Sequence, residues 1–451
     1  MKNLLLKLGL KLLRKDIFKE YKKLKKLEYN SLENNLKIQK AKLKKILLHA
    51  YKNVLYYHKV LSKAKVIING KVNLSNFNKI PILTKEIIRN NFEDLKSKDL
   101  NYDKRKPYLN TSGGSTGEPV KFIQDNDTWA KGMAGKWFFY SFINKKYPCK
   151  QLKLWGFERD ILKGGYGFKG IIKNWVYNRK FLNSFKMSKE DMKDYVKIIN
   201  NYKPKIIEAY VQSIYELSKF IEKNKLKVYS PKGIITSAGT LYPEMRKLIK
   251  EVFNCWVYNR YGSREVGDIA CNCNKNEGLH LNIFNNYIEI LDKKLKPCEP
   301  GKIGKVYVTT LNNYSMPLIR YDIGDIAVPS KKQKCSCGRG LPLIEKVEGR
   351  EMSIFKTKEG KKIPAEFFIH FIGVVYNNDS IDKFQVVQKD YNLIEIKVII
   401  RNKKQFEKDK IKINKVIKLE MGKDCKIKWK FVKDIKPTKS GKYLYTISEV
   451  K

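Results

Sequence analysis

The sequence predicts an α/β protein: a large N-terminal domain of parallel sheets flanked by helices, with a β-rich part, and a small α+β C-terminal domain. Three observations predict it. Between residues 120 and 253, short strand-like runs (VKFIQ, LKLWG, PKIIEAY, KGIITSAG) alternate with helical stretches, the pattern of parallel β built from βαβ units. From Tyr287 onward, YIEILD and GKVYVTTL alternate with period two across Pro-Gly and Asn-Asn turns, as antiparallel strands do. After EGRE comes a smaller set, FQVVQ and LIEIKVII followed by a helix over KQFEKDKIKINKVIKLEMG. A boundary near Glu348–Glu351 follows, giving expected domains of 1–348, with a helical basic leader over about 1–100, and 349–451.

Composition narrows the partners. The 451 residues hold 94 Lys and Arg against 45 Asp and Glu, a formal charge of +49, with 42% hydrophobic and 12% aromatic residues. That hydrophobic content belongs to a folded chain. The lysines are spread along the whole length with no nucleic-acid module among them, so they read as a general bias and no nucleic-acid partner is expected. No run of about 18 apolar residues is present, and the leucines of MKNLLLKLGLKLLRK are broken by Lys7 and Lys11 with no small-residue cleavage site after them. The expected location is cytoplasmic. Eight cysteines, partly in Cys-x-Cys pairs, suit metal or reduced thiols better than a disulfide scaffold.

In chain order, Leu6, Leu10, Leu13, Ile17, Tyr21 and Leu24 recur at helical spacing, making residues 1–28 a basic amphipathic helix. Such a helix either lies on the inner face of an anionic membrane or packs on the protein body. Residues 36–62 continue as helix, and Thr84 is placed to cap the helix after IPIL. VKFIQ is a strand, a helix runs from about Asp127 to Phe142, and LKLWGFERDIL is a buried strand entering a loop. KPKIIEAYVQSIYELSKFIEK gives strand, turn and helix, KGIITSAG a strand ending in a small-residue turn, and LYPEMRKLIKEVF a helix.

The chemistry begins at TSGGSTGEP, Thr111–Pro119. Its three glycines let the backbone bring N–H groups close to an anion, and its hydroxyls add rotatable donors, which together suit a phosphate. It is neither a GxxxxGK[ST] loop nor GxGxxG. Downstream stand NRYGSREVG (259–267), PLIRYDIGD (317–325), VEGRE (347–351) and PTKSGKYL (437–444). Cys271, Cys273 and His280 lie in ACNCNKNEGLH, and Cys335 and Cys337 in KCSCGRG. Three thiolates and one imidazole would close a tetrahedral zinc shell, although separate reduced thiols also fit this spacing.

TSGGSTGEP and the ordered segments after it resemble the signatures of the adenylate-forming (acyl-activating, AMP-binding) superfamily. The likeness covers most of the chain and points to the phenylacetate-CoA ligase-like branch; YGSREVG, WGFERD and the leader look most like capsular polysaccharide biosynthesis CapK-type proteins. The resemblance implies that Thr111, Ser112, Gly113, Gly114, Ser115, Thr116 and Gly117 cradle ATP phosphates, and that Ser237, Ala238 and Gly239 border the nucleotide and the acid. It implies further that Arg260, Tyr261, Gly262 and Ser263 contact AMP, with the Tyr261 ring on adenine, and that Glu265 holds Mg²⁺. Asp325 would take the ribose diol, Arg350 the ribose or phosphate, and Lys442 the α-phosphate, with Lys439 a rival; Thr116, Glu265 and Lys442 are the implied catalytic set. Met352 stands where a carboxylate is common in the family. The implied zinc ligands are Cys273, His280, Cys335 and Cys337, with Cys271 the spare.

The implied function is ATP-dependent activation of a small carboxylic acid as acyl-adenylate, followed by transfer to a thiol such as coenzyme A while the small mobile domain reorients as a lid. An amide ligase acting on a surface-polysaccharide precursor or an amino acid is the alternative. A non-catalytic assembly protein of polysaccharide machinery or membrane, keeping the same fold, is the second.

Overall fold

Asp16 accepts a hydrogen bond from the Lys19 N–H at 3.0 Å and starts a helix, Ile17–Leu27, whose buried stripe is Ile17, Tyr21 and Leu24. That stripe is taken up inside the protein. Phe18 and Tyr21 meet the ring of Trp137 edge-on at 5.1 and 6.1 Å, so over this half of the leader the face offered to a membrane packs on the helix Asn126–Tyr140. Each large side chain so buried stabilises the docking by roughly 1.5–3 kcal/mol. Leu6, Leu10 and Leu13 lie outside the described residues. The computed structural model describes residues 16–112, 120–144, 149–155, 174–184, 187–350, 355–360, 362–363, 367–368, 371–376, 380–436 and 444–450.

The chain divides into two units, one of Met1–Leu241 with Lys247–Val347, the other of Tyr242–Arg246 with Glu348–Lys451. Among the described residues no helix is long and apolar enough to cross a membrane.

In the first unit, Leu32–Asn53 and Leu55–Lys63 are two helices, where the sequence reads as one. Val54 breaks them: its backbone is extended (φ −127°, ψ 113°) and bridges Ser97. Thr84 caps Lys85–Asn90 by accepting from the Ile87 N–H at 3.2 Å.

One sheet of eleven strands organises this unit. Its order is Asn286–Leu291, Gly304–Thr310, Tyr321–Pro329, Leu343–Arg350, Leu279–Leu281, Gly267–Asn272, Trp256–Ser263, Gly233–Ser237, Ile206–Tyr210, Gln151–Trp155 and Arg179–Asn183. The last five pair in parallel. Antiparallel pairing starts earlier than Tyr287, at the hairpin between Trp256–Ser263 and Gly267–Asn272. The strand Ile206–Tyr210 runs into the helix Val211–Lys223 with no intervening turn, burying Ile206, Ile207, Ile214, Leu217 and Ile221. A separate hairpin, Tyr108–Thr111 with Lys121–Gln124, carries the segment between them.

A clamp ties the leader to the loop after Pro329. Arg339 lies over the Phe142 ring at 4.0 Å and donates from Nε to the buried Glu28 carboxylate at 2.7 Å, while the Gly340 N–H donates to the Glu28 carbonyl at 3.1 Å. Asn35 Nδ2 donates to the Gly340 carbonyl at 2.7 Å. A Cβ at Gly340 would sit 1.7 Å from the Asn30 carbonyl oxygen, which is backbone and cannot swing away. Gly340→Ala is therefore expected to cost about 1–3 kcal/mol or more, read as a lower denaturation midpoint; an unchanged midpoint would show that this loop yields freely.

In the second unit, a four-stranded sheet has the order Lys426–Phe431, Leu393–Ile400, Ile381–Asp390, Thr446–Ser448, and the helix Lys403–Met421 buries Phe406, Ile413, Ile417 and Met421. The two outer strands, both parallel to their neighbours, were not foreseen from the sequence. Lys426–Phe431 alternates strictly, Lys-Ile-Lys-Trp-Lys-Phe, so its strand character was open to reading, although it is mostly exposed.

Candidate active site and candidate metal centre

The base of the TSGGSTGEP segment is closed by two short bonds. The Ser112 N–H donates to the Val120 carbonyl at 2.9 Å, and the Val120 N–H donates to the Ser112 hydroxyl at 2.9 Å. Thr111 ends the preceding strand, paired with Lys121. Gly113, Gly114, Ser115, Thr116 and Gly117 lie outside the described residues, as do Lys439 and Lys442. Arg350 ends the strand Leu343–Arg350, and its side chain lies outside the description.

The second signature forms a hairpin turn. Gly262 allows it, because a Cβ there would meet the Gly267 carbonyl oxygen at 2.5 Å, and Gly267 itself turns at φ +74°. Inside the turn Glu265 is buried, accepts from the Tyr321 hydroxyl at 3.4 Å, and forms no ion pair among the described residues. The Tyr261 hydroxyl donates to Asp325 Oδ2 at 2.9 Å. Gln124, from the hairpin that carries the TSGGSTGEP segment, donates to the Arg264 carbonyl at 3.0 Å. Three segments far apart in sequence are thus joined by direct bonds. The Ser263 hydroxyl is buried without a partner among the described residues.

At the carboxyl ends of the parallel strands, Ser237 closes its strand in register with Tyr210, Ala238 follows at φ +62°, and Gly239 lies against Val211. The carboxyl ends of parallel strands are where open α/β sheets bind ligands. Trp155 and Tyr210 add a ring pair at the same edge, with centroids 4.2 Å apart.

A cavity of about 210 Å³ opens between Tyr108 and Gln124 of the hairpin, Trp129 and Lys136 of the helix, and Arg264 and Glu265 of the turn. Arg260 and Asp268 also border it. The Arg260 guanidinium is shared between Asp268 at 2.5 Å and the fully buried Glu208 at 2.6 Å. Glu208 also takes Lys136 at 2.7 Å, Lys153 at 2.6 Å and the Tyr140 hydroxyl at 2.6 Å. Burial by itself would raise the Glu208 carboxyl, but Lys136, Lys153 and Arg260 hold it well below the ordinary range. Burial pushes the Lys153 ammonium down to about 7, against the pull of Glu208 and with the repulsion of Lys136 and Arg179. A bulge between Asp268 and Ala270 sits beside this pairing. Glu208→Gln is expected to cost about 3–5 kcal/mol, because three buried cations lose their common partner; urea unfolding reads it, and a loss below 1 kcal/mol would contradict the assignment.

Sequence reasoning points to the helix Trp129–Phe142 as a wall of the acid pocket, but it does not single out Lys136 on that helix, nor Gln124, Glu208 and Asp268. They belong to no motif, and what joins them is strand order and register.

The metal-type cluster is compact. The ligand atoms of Cys273, His280, Cys335 and Cys337 all lie within 4.8 Å of one another. Cys273 Sγ is 3.6 Å from Cys335 Sγ, and Cys337 Sγ is 3.4 Å from His280 Nε2. Bonds of about 2.3 Å to a tetrahedral zinc would set sulfur–sulfur edges near 3.8 Å, so the donors fit. A hydrogen bond from Cys273, and a further one from His280, pull the Cys337 thiol down from its usual value, while the same contact pushes Cys273 up and burial pushes Cys335 up. Cys271 turns elsewhere, its thiol donating to the Asn272 carbonyl at 3.4 Å.

Comparison with known proteins bears on this geometry. Residues 355–449 match the family model described as the CapK C-terminal domain. The chain is 26% identical to protein CapK of Staphylococcus aureus over 97% of its own length and 93% of the relative's. It is also 26% identical to phenylacetate-coenzyme A ligase of Escherichia coli (strain K12), over 82% of this chain and 81% of that one. Over most of its length the chain is thus similar to CapK and to phenylacetate-coenzyme A ligases. Adenylate-forming ligases share its fold: 2-hydroxyisobutyryl-CoA ligase in the postadenylation state, in complex with R3-HIB-AMP, superposes with a TM-score of 0.73 at 14% identity, over 94% of this chain and 91% of that one. The amide bond synthetase McbA from Marinactinospora thermotolerans gives 0.52 at 12% identity, over 74% and 66%.

Proposed function

We propose that this chain uses ATP to convert a small carboxylic acid to its acyl-adenylate, releasing pyrophosphate, and passes the acyl group to a thiol of the coenzyme A type. The observation that carries the reading is the bonded meeting of Gln124, Arg264–Glu265, Tyr321, and the Tyr261–Asp325 pair. In this reading Asp325 accepts from the ribose hydroxyls, the Tyr261 ring, oriented by its bond to Asp325, lies against adenine, and the loop 113–117 surrounds the phosphates. Ser263 has a hydroxyl to offer the phosphate or the acyl carboxylate. Glu265, buried and without a cation partner among the described residues, fits Mg²⁺, which when bound would supply charge neutralisation at the α-phosphate. Cys273, His280, Cys335 and Cys337 would hold a structural zinc.

The thiol acceptor rests on the name of the relatives, phenylacetate-coenzyme A ligases of Escherichia coli and Thermus thermophilus. A link to capsule polysaccharide rests on the name CapK.

The test is acid-dependent ATP–pyrophosphate exchange over a panel of carboxylic acids, followed by product analysis with coenzyme A or an amine. Exchange with at least one acid, lost in Lys442→Ala, supports the reading. Exchange with none overturns it, and an amide without thioester moves the acceptor to an amine.

A further inference from the structure

The cavity beside Glu265 differs in charge and size from a site for a hydrocarbon acid. Three cations, Lys136, Lys153 and Arg260, share two carboxylates, Glu208 and Asp268, through contacts of 2.5–2.7 Å. All five side chains are at most 18% exposed. Arg264 and Glu265, also on the cavity wall, contribute one charge of each sign, and Arg179 adds positive charge near Lys153. With Lys136, Lys153 and Arg260 all protonated, one positive charge of the cluster is left over where desolvation makes it costly. Lys153 registers the excess, since its hold on a proton is weakened by burial and by its neighbouring cations. Lys136 and Arg260 both touch Glu208 and border the cavity, but Arg260 is also held by Asp268, so Lys136 is the less compensated of the two.

The rest of the wall is mixed: Gln124, Thr128, Asn285, Asn312 and Asn313 stand among the larger apolar surfaces of Tyr108, Trp129, Met133 and Val266. Its volume, about 210 Å³, lies below the usual range of small-molecule sites, which starts near 300 Å³, so the occupant is short.

Resting on the adenylation reading above, we infer that the acid activated here is a short dicarboxylate, whose second carboxylate is held beside Lys136 and neutralises the cluster. An aryl or alkyl acid would leave that charge uncompensated.

The experiment is ATP–pyrophosphate exchange by the full-length protein with length-matched pairs, succinate against butyrate and glutarate against pentanoate, together with phenylacetate. The expected result is a kcat/KM at least about tenfold higher for the dicarboxylate of each pair. In Lys136→Met that ratio should collapse to about twofold or less, since two cations then balance two carboxylates; its thermal midpoint should stay near the parent's. Preference for the monocarboxylates or phenylacetate in the parent overturns the inference while leaving adenylation standing, as does a Lys136→Met variant that loses both acids equally. Exchange with no acid overturns the adenylation reading and this inference with it. The parent ratio decides by itself, so a poorly folding variant does not remove the test.

Discussion

Glu265→Ala is expected to lower acid-dependent pyrophosphate exchange by about 10²–10³-fold, with a thermal midpoint close to that of the parent. The two halves of that expectation have one cause. Glu265 is buried in the hairpin turn and accepts a hydrogen bond from Tyr321, but no lysine or arginine among the described residues pairs with it. A buried carboxylate in that state does little for folding, so its loss costs little stability. In the proposed reaction the same carboxylate holds the cation that offsets charge on the α-phosphate, and that interaction is worth most in the transition state. Raising Mg²⁺ should partly restore the variant. An alanine variant that exchanges at the parent's rate would take Glu265 out of the site and leave the hairpin as a purely structural turn.

Removing metal is the second large expected effect. Protein purified without chelator should carry about one zinc per chain by elemental analysis, and stripping it should lower the thermal midpoint by about 10 °C or more. The four ligands come from the end of Gly267–Asn272, from Leu279–Leu281 and from the loop that leads to Leu343–Arg350, so a bound ion would cross-link three parts of one sheet. Without it, three thiols and an imidazole remain crowded in the interior, with His280 Nδ1 already lacking a partner among the described residues. Cys335→Ser should lose both zinc and stability. Cys271→Ser should keep the zinc, because that thiol faces the Asn272 carbonyl outside the cluster. Metal-free protein as stable as the parent, with Cys335→Ser indistinguishable from it, would mean the cluster is only a set of packed thiols.

Much of the architecture was legible one segment at a time. Thr84 as a cap, the helix after Gln124 and the buried strands around Ile206 and Ile234 are short-range consequences of side-chain shape and periodicity. The break at Val54 was not legible, because the residue that holds it extended is Ser97, more than forty positions away. The membrane reading of the leader failed over its described half for a related reason. An amphipathic stripe states that an apolar surface must be covered, and here Trp137 supplies the cover.

The amino-acid order by itself determined which functional groups the chain carries and where: glycines and hydroxyls together over 111–117, a set that suits a phosphate, carboxylates at 265 and 325, and thiols two residues apart. Those depend on residue type and near-neighbour spacing, which covalent connectivity preserves. Only the tertiary structure decided that Lys136, Lys153, Glu208, Arg260 and Asp268 share one buried charge cluster, and that Glu265 faces a cavity instead of solvent. Each of those pairings is set by which strands are neighbours and in what register, and electrostatic interaction falls off with distance through space, not along the chain.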